Sequence, residues 1–435
     1  MWASCPDWPR GRCRHQTAPC PTETATPQAG SFPLSRSRHM TKAAEEDQSQ
    51  LPAPGTTSPA SAVADVTAGP GTSGPEAPPK RLPRVESLTG LRWWAAFFVF
   101  CHHMSNLAPL PILDFLKWGT SGVTFFFVLS GFVLTWSAQP GTKIRTFYRR
   151  RFARIWPAHM VALIAAFFVF YRIDPPADMP WIKPISLTVL LLSVLLLHGW
   201  TNDPTILYGG NPASWTLSVE AFFYAYHPFV QRATAKLKTT GGLIFCVATL
   251  AISGAYRLSL FHFPDVVPVF PQPVLHSVSF LFGIGLAITL RSGWRPRIPV
   301  WFGFLVVGFG LFTLYYSGEH PAKVPFGITI GLTQKEILTL LYGFLIFAAA
   351  IRDTRGGRSW LRSKPLVALG QWSYSFYLIH ATILYAILEI HGPVGHVGWS
   401  NLIWYAGVCA VSILASWLMY KFVEHPLERK LRGPR

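Results

Sequence analysis

Charge is scarce in this chain. Of its 435 residues only 13% are Asp, Glu, Lys or Arg, against roughly 25% in an average soluble domain. Half are hydrophobic and 14% aromatic, and they fall into long blocks that a soluble core does not need. Cysteine is sparse and unpatterned. Cys5, Cys13 and Cys20 lie in the first twenty residues, and Cys101, Cys246 and Cys409 lie inside apolar segments. No CxxC pair occurs, which excludes a zinc ribbon and a disulfide framework. The intramembrane three read as small packing hydrophobes. A GxSxG elbow, an HExxH pair and a phosphate-binding Walker loop are all missing. His391 and His396 have poor spacing for a metal, so no metal site is expected. No apolar stretch follows the first residues, so no signal peptide is expected.

What charge there is leans positive, with a formal net of +18. In a soluble protein that excess would suggest nucleic acid. Here the basic residues sit in short loops between apolar blocks, and no nucleic-acid role is expected.

Residues 1–82 are rich in Pro, Ala, Ser, Thr and Gly, show no apolar period and read as a disordered tail. Met40 is a candidate for the true start. Residues 83–429 form the membrane region, and 430–435 a short basic tail. Apolar segments, each needing roughly 20 residues to cross a bilayer, fall near 91–109, 119–138, 155–172, 184–200, 214–230, 241–256, 272–290, 299–317, 336–351, 372–390 and 401–422. The expected fold is an all-α polytopic bundle with about ten spans and one re-entrant segment. The basic loops argue for that number. Clusters at 143–154, 232–238, 291–297, 352–364 and 429–435 all want the cytoplasm. Three apolar segments separate the first two clusters, so either 184–200 or 214–230 fails to span. Irregular chain at membrane depth needs protein or a watery cavity around it, which marks this region for the active cavity. Both termini are expected inside, at the plasma membrane.

Ionisable groups inside a bilayer are costly, and each is a functional candidate. Arg92 and His103 are eleven residues apart, so on a helix they differ by about 20° and lie about 16 Å apart along the axis. They share one face, and His103 is a natural base for a hydroxyl. The competing reading is a polar packing residue bonded to a neighbouring helix. His102 points some 80° away and reads as packing. Arg151 and Arg154, at i and i+3, face one way and suit phosphate. A basic loop flanking a membrane needs no ligand, so both readings stand. Glu220 opens an apolar segment with Trp215, Ser218 and Tyr224 nearby. It would orient a histidine, hold an acceptor sugar or pair structurally. Ser130 and Gly131 lie mid-membrane, where small residues often serve close helix packing.

With these residues in place, the chain resembles the acyltransferase family 3 membrane proteins over about residues 83–429. The family's Arg-x10-His matches Arg92 and His103. Its FFxLSGF motif matches Phe126 to Phe132, and its RxxR matches Arg151 and Arg154. Its WSLxxE motif is close to Trp215 to Glu220, with Thr216 for the usual Ser. Its S-Y-x-x-Y-L-x-H matches Ser373 to His380, including Tyr377, and its E-x-P matches Glu424-His425-Pro426. Many members carry Asp where this chain has Thr89 and Thr124. The resemblance implies a ten-span enzyme that O-acylates a carbohydrate, glycolipid or macrolide-type sugar. It implies acyl-CoA, above all acetyl-CoA, as co-substrate, with no permanently bound cofactor. Arg151 and Arg154 would hold the donor phosphates, the thioester arm would reach past Arg92, His103 would act as base, and Glu220 would position the acceptor or the imidazole. Ser130, Gly131, Trp215, Ser218, Tyr224, Tyr377 and His380 would line the substrate cavity. A membrane exporter is the rival reading, since buried His, Glu and Arg also build proton relays, although no internal repeat is evident. A non-catalytic scaffold is the third.

Overall fold

The computed structural model describes residues 82–433. The tail expected to be disordered lies outside them but for residue 82. The described residues are largely helical, and β structure among them is a two-residue parallel pairing of Tyr171–Arg172 with Lys183–Pro184.

Twelve of the helices among the described residues organise the fold. They are α1 Glu86–Met104, α2 Gly122–Trp136, α3 Ile144–Phe170, α4 Leu187–Val194, α5 Trp215–Ala233, α6 Thr239–His262, α7 Ser277–Arg291, α8 Val300–Glu319, α9 Gln334–Thr354, α10 Lys364–His391, α11 Leu402–Met419 and α12 His425–Arg432. By length and composition, eight helical stretches among the described residues are long and apolar enough to cross a membrane. Two more, α1 and α5, have 19 residues each and span about 28 Å at 1.5 Å per residue. Their polar content, Arg92 and His103 in one and Glu220 in the other, lowers their hydropathy. These ten match the expected number. The doubtful pair of segments also resolves. Residues 187–194 make only eight residues of helix, about 12 Å, too short to cross.

Side chains tie the helix ends into two opposite layers. In one, Arg291 donates to the carbonyl of Thr135 at 2.7 Å, and Trp136 donates to that of Pro83 at 3.1 Å. Asp353 accepts from the Ser87 amide at 2.7 Å and its hydroxyl at 2.6 Å. This end carries the basic loops. In the other, the Val394 amide donates to Leu107 at 2.7 Å, and Arg172 pairs with Glu389 at 2.7 Å. Chain direction reverses at each long helix, so all five basic clusters fall at one end.

A close crossing joins α2 to α7. A Cβ on Gly131 would overlap the carbonyl oxygen of Phe280, and one on Gly283 would overlap that of Val128. Each glycine receives the other helix's backbone, as small residues do in lipid-embedded bundles. Near the C-terminus Pro426 lacks an N–H and crowds the carbonyl a turn before it. There the chain widens into a π turn over Tyr420–Glu424, which turns Glu424 inward to 1% exposure.

Candidate active site

Five helices converge on a cavity of about 230 Å³. Arg92 comes from α1, and Phe126 and Ser130 from α2. Arg151 and Arg154 come from α3, Thr216, Glu220 and Tyr224 from α5, and Ser373, Tyr374 and Tyr377 from α10. The spacings explain the convergence. Residues three or four apart share a helix face, as do Arg151 and Arg154, Thr216, Glu220 and Tyr224, and Tyr374 and Tyr377. Val123, Leu129, Val133 and Leu134 make the apolar wall.

Inside the cavity the charges are unequal. Arg154 is spent on carboxylates, with Glu424 at 2.6 Å and Glu428 at 3.0 Å. Glu424 in turn accepts from the Ser375 hydroxyl at 2.6 Å. Arg92 and Arg151, by contrast, form no ion pair among the described residues. Arg151 lies over the rings of Phe147 and Tyr224 at 6.0 and 5.7 Å, a cation–π seat. Glu220 accepts on one oxygen from Ser130 at 3.1 Å and from the Tyr224 hydroxyl. Its hydrogen bonds among the described residues therefore run to hydroxyls and not to an imidazole.

Not every residue expected in the cavity lines it. Gly131 is consumed by the α7 crossing. Ser218 donates to the Leu196 carbonyl at 2.6 Å and accepts from the Gly199 amide at 3.1 Å, so it pins the non-spanning excursion to α5. Trp215 stands at the start of α5 with its ring 5.4 Å from that of His276.

His103 lies further along α1 and does not line the cavity. Its ring sits 5.3 Å from that of His380. His380 is fully buried, and its Nδ1 donates to the Phe376 carbonyl at 3.0 Å, which leaves Nε2 as an acceptor. The His380 ring is 6.0 Å from that of Tyr377, whose hydroxyl bonds Thr216 at 3.1 Å. A column of side chains therefore leads from the cavity through Tyr377 and His380 to His103. Sequence reading missed the Glu424–Ser375 clamp. The E-x-P motif was the one available signal, and a carboxylate 270 residues from its arginine gives no local clue.

The chain matches the family model described as acyltransferase domain over residues 85–421. It is 34% identical over 381 residues to the acyltransferase MdmB of Streptomyces mycarofaciens, covering 81% of this chain and 94% of that protein. It is 24% identical over 374 residues to the peptidoglycan O-acetyltransferase OatA of Listeria monocytogenes, covering 79% of this chain but 56% of that protein. With nodulation protein 10 of Rhizobium leguminosarum bv. viciae the identity is 25% over 356 residues, covering 77% and 91%. No solved structure matches.

Proposed function

Because the chain belongs to the acyltransferase family of that domain and is a multi-pass membrane O-acyltransferase, we propose that it moves a short acyl group from acyl-CoA to a hydroxyl of a carbohydrate acceptor. Family membership sets aside the exporter and scaffold readings. The carbohydrate comes from the relatives, since the Listeria protein is named for peptidoglycan. The donor comes from the site. Its carrying observation is the pair of cations, Arg92 and Arg151, that line the cavity without ion-pair partners among the described residues.

In this reading the donor enters from the basic end, which faces the cytoplasm at the plasma membrane with both termini inside. Its phosphates meet Arg151 and the neighbouring basic loop, because guanidinium groups bind phosphate with two parallel hydrogen bonds. The thioester arm passes Arg92 towards Tyr377. His103 removes the proton from the acceptor hydroxyl as that oxygen attacks the thioester carbonyl. The new C–O bond forms, the C–S bond breaks, and the thiolate leaves with the proton from His103. Base catalysis of this kind contributes roughly 10²–10⁴-fold. Arg92, about 16 Å along α1 from His103, offers its positive charge to the donor as the arm passes. His380, fixed by the Phe376 carbonyl, packs against the His103 ring and orients it. A cavity of about 230 Å³ favours acetyl over long acyl chains.

Purified protein in nanodiscs, given radiolabelled acetyl-CoA and a panel of glycosides, glycolipids and macrolide sugars, tests this. Labelled product with equimolar free CoA is the expected result. Label transfer from acetyl phosphate but not from acetyl-CoA would overturn the donor assignment. Transfer to a non-sugar alcohol alone would overturn the acceptor.

A further inference from the structure

A second polar cluster lies outside the cavity, at the end of the bundle opposite the basic loops. It gathers Trp215 at the start of α5 against His276 just before α7, with the charges of Lys335 and Arg257 acting on His276 and Arg257, near the end of α6, facing Glu336 in the first turn of α9. One oxygen of Glu336 is engaged by the Ser253 hydroxyl and by Arg257, whose Nε is 3.6 Å away. The other oxygen is buried and takes no hydrogen bond among the described residues. The same holds for Nδ1 of His276, whose ring lies against Trp215 at 5.4 Å and Phe127 at 5.0 Å. Glu336 and His276 are each only 7% exposed.

Two buried polar atoms without partners cost free energy. An ion pair kept for structure alone would have both carboxylate oxygens satisfied. The donor cavity is one ring away, since Phe127 touches His276 and lines that cavity. Thr216, the residue after Trp215, lines it too and bonds Tyr377.

We infer that Trp215, His276 and Glu336 form the subsite that holds the acceptor's sugar ring. This rests on the carbohydrate-acceptor reading above. A glycosyl ring offers hydroxyl donors to the open oxygen of Glu336 and to Nδ1 of His276. It also offers a C–H face to the indole of Trp215. Arg257 balances the charge of Glu336 and Lys335 adds a further positive charge, so the subsite disfavours a cation and suits a sugar without an ammonium group. A ring seated here reaches from the outer end towards Tyr377 and His103, while the donor arrives from the basic end.

The test is binding, measured apart from turnover. Saturation-transfer NMR is recorded with methyl glycosides of glucose, N-acetylglucosamine and a 6-deoxyhexose on nanodisc-embedded His103→Ala protein. Glu336→Gln and Trp215→Leu are then added to that background. The expected result is binding of at least one glycoside, weakened by about tenfold or more in each variant, the equivalent of one hydrogen bond to a charged group. Should Glu336→Gln fail to fold, Trp215→Leu, at a half-buried helix start, carries the test. Undiminished binding in folded variants would overturn the subsite and leave a sugar acceptor in place. Absence of glycoside binding by a protein whose wild type releases CoA from acetyl-CoA would overturn the subsite and leave the acyltransfer reading standing.

Discussion

Glu424 reaches Arg154 at 2.6 Å across 270 residues of sequence, and this contact divides the two arginines of the RxxR motif by role. Arg154, paired with Glu424 and Glu428, ties α3 to the C-terminal turn. Arg151 forms no ion pair among the described residues and lies over the rings of Phe147 and Tyr224.

Removing the carboxylate should therefore act on stability. Glu424→Ala is expected to cost about 1.5–3 kcal/mol, the range for a hydrogen bond to a charged group. The lower part of that range applies, because Arg154 is a quarter exposed and keeps Glu428. A double-mutant cycle between Arg154 and Glu424, read by thermal denaturation, should return a coupling of about 0.5–3 kcal/mol. Additive effects would contradict the clamp.

Replacing Arg151 should act on the donor. Arg151→Lys keeps the charge but loses the planar fork, and it is expected to raise the KM for acetyl-CoA about tenfold with little change in melting temperature. Arg154→Lys should show the reverse pattern. Equal effects of the two on KM would mean that both hold phosphate.

The adjacent residues of the Ser-Gly pair should also separate. Gly131→Ala drives a methyl group into the Phe280 carbonyl. Overpacking of this kind typically costs about 1–3 kcal/mol, and size-exclusion and melting curves would register it. Ser130→Ala removes one hydrogen bond to Glu220, an effect of about 1 kcal/mol. It should appear in kinetics before it appears in folding. A Gly131→Ala protein as stable as wild type would contradict the close crossing.

These divisions mark where sequence reading reaches its limit. Helical periodicity puts Arg92 and His103 on one stripe, and the parity of the basic loops requires that either 184–200 or 214–230 not span, without choosing between them. Both follow from local rules, the pitch of a helix and the retention of basic loops. Periodicity did not distinguish Ser130, which faces the cavity, from Gly131, which faces α7, because the partner of each face is set by packing. Ser218 read as a cavity residue because it shares a motif with Glu220. Two residues apart on a helix, they point about 160° away from one another, and Ser218 went to the excursion instead. The Glu424 clamp needed the three-dimensional fold, since nothing local marks a partner 270 residues distant. His276 and Glu336 belong to no motif quoted from the sequence, and only the shared end of four helices brings them together.

The central claim is that His103 is the base, reached through Tyr377 and His380 from a cavity it does not line. Single-turnover acetyl transfer by His103→Ala, with donor binding and melting temperature recorded on the same preparation, tests it most directly. The expected result is a rate lowered by roughly 10²–10⁴-fold, with acetyl-CoA binding and stability close to wild type. A rate within a few-fold of wild type would contradict the assignment and return His103 to the packing of α1 against α10.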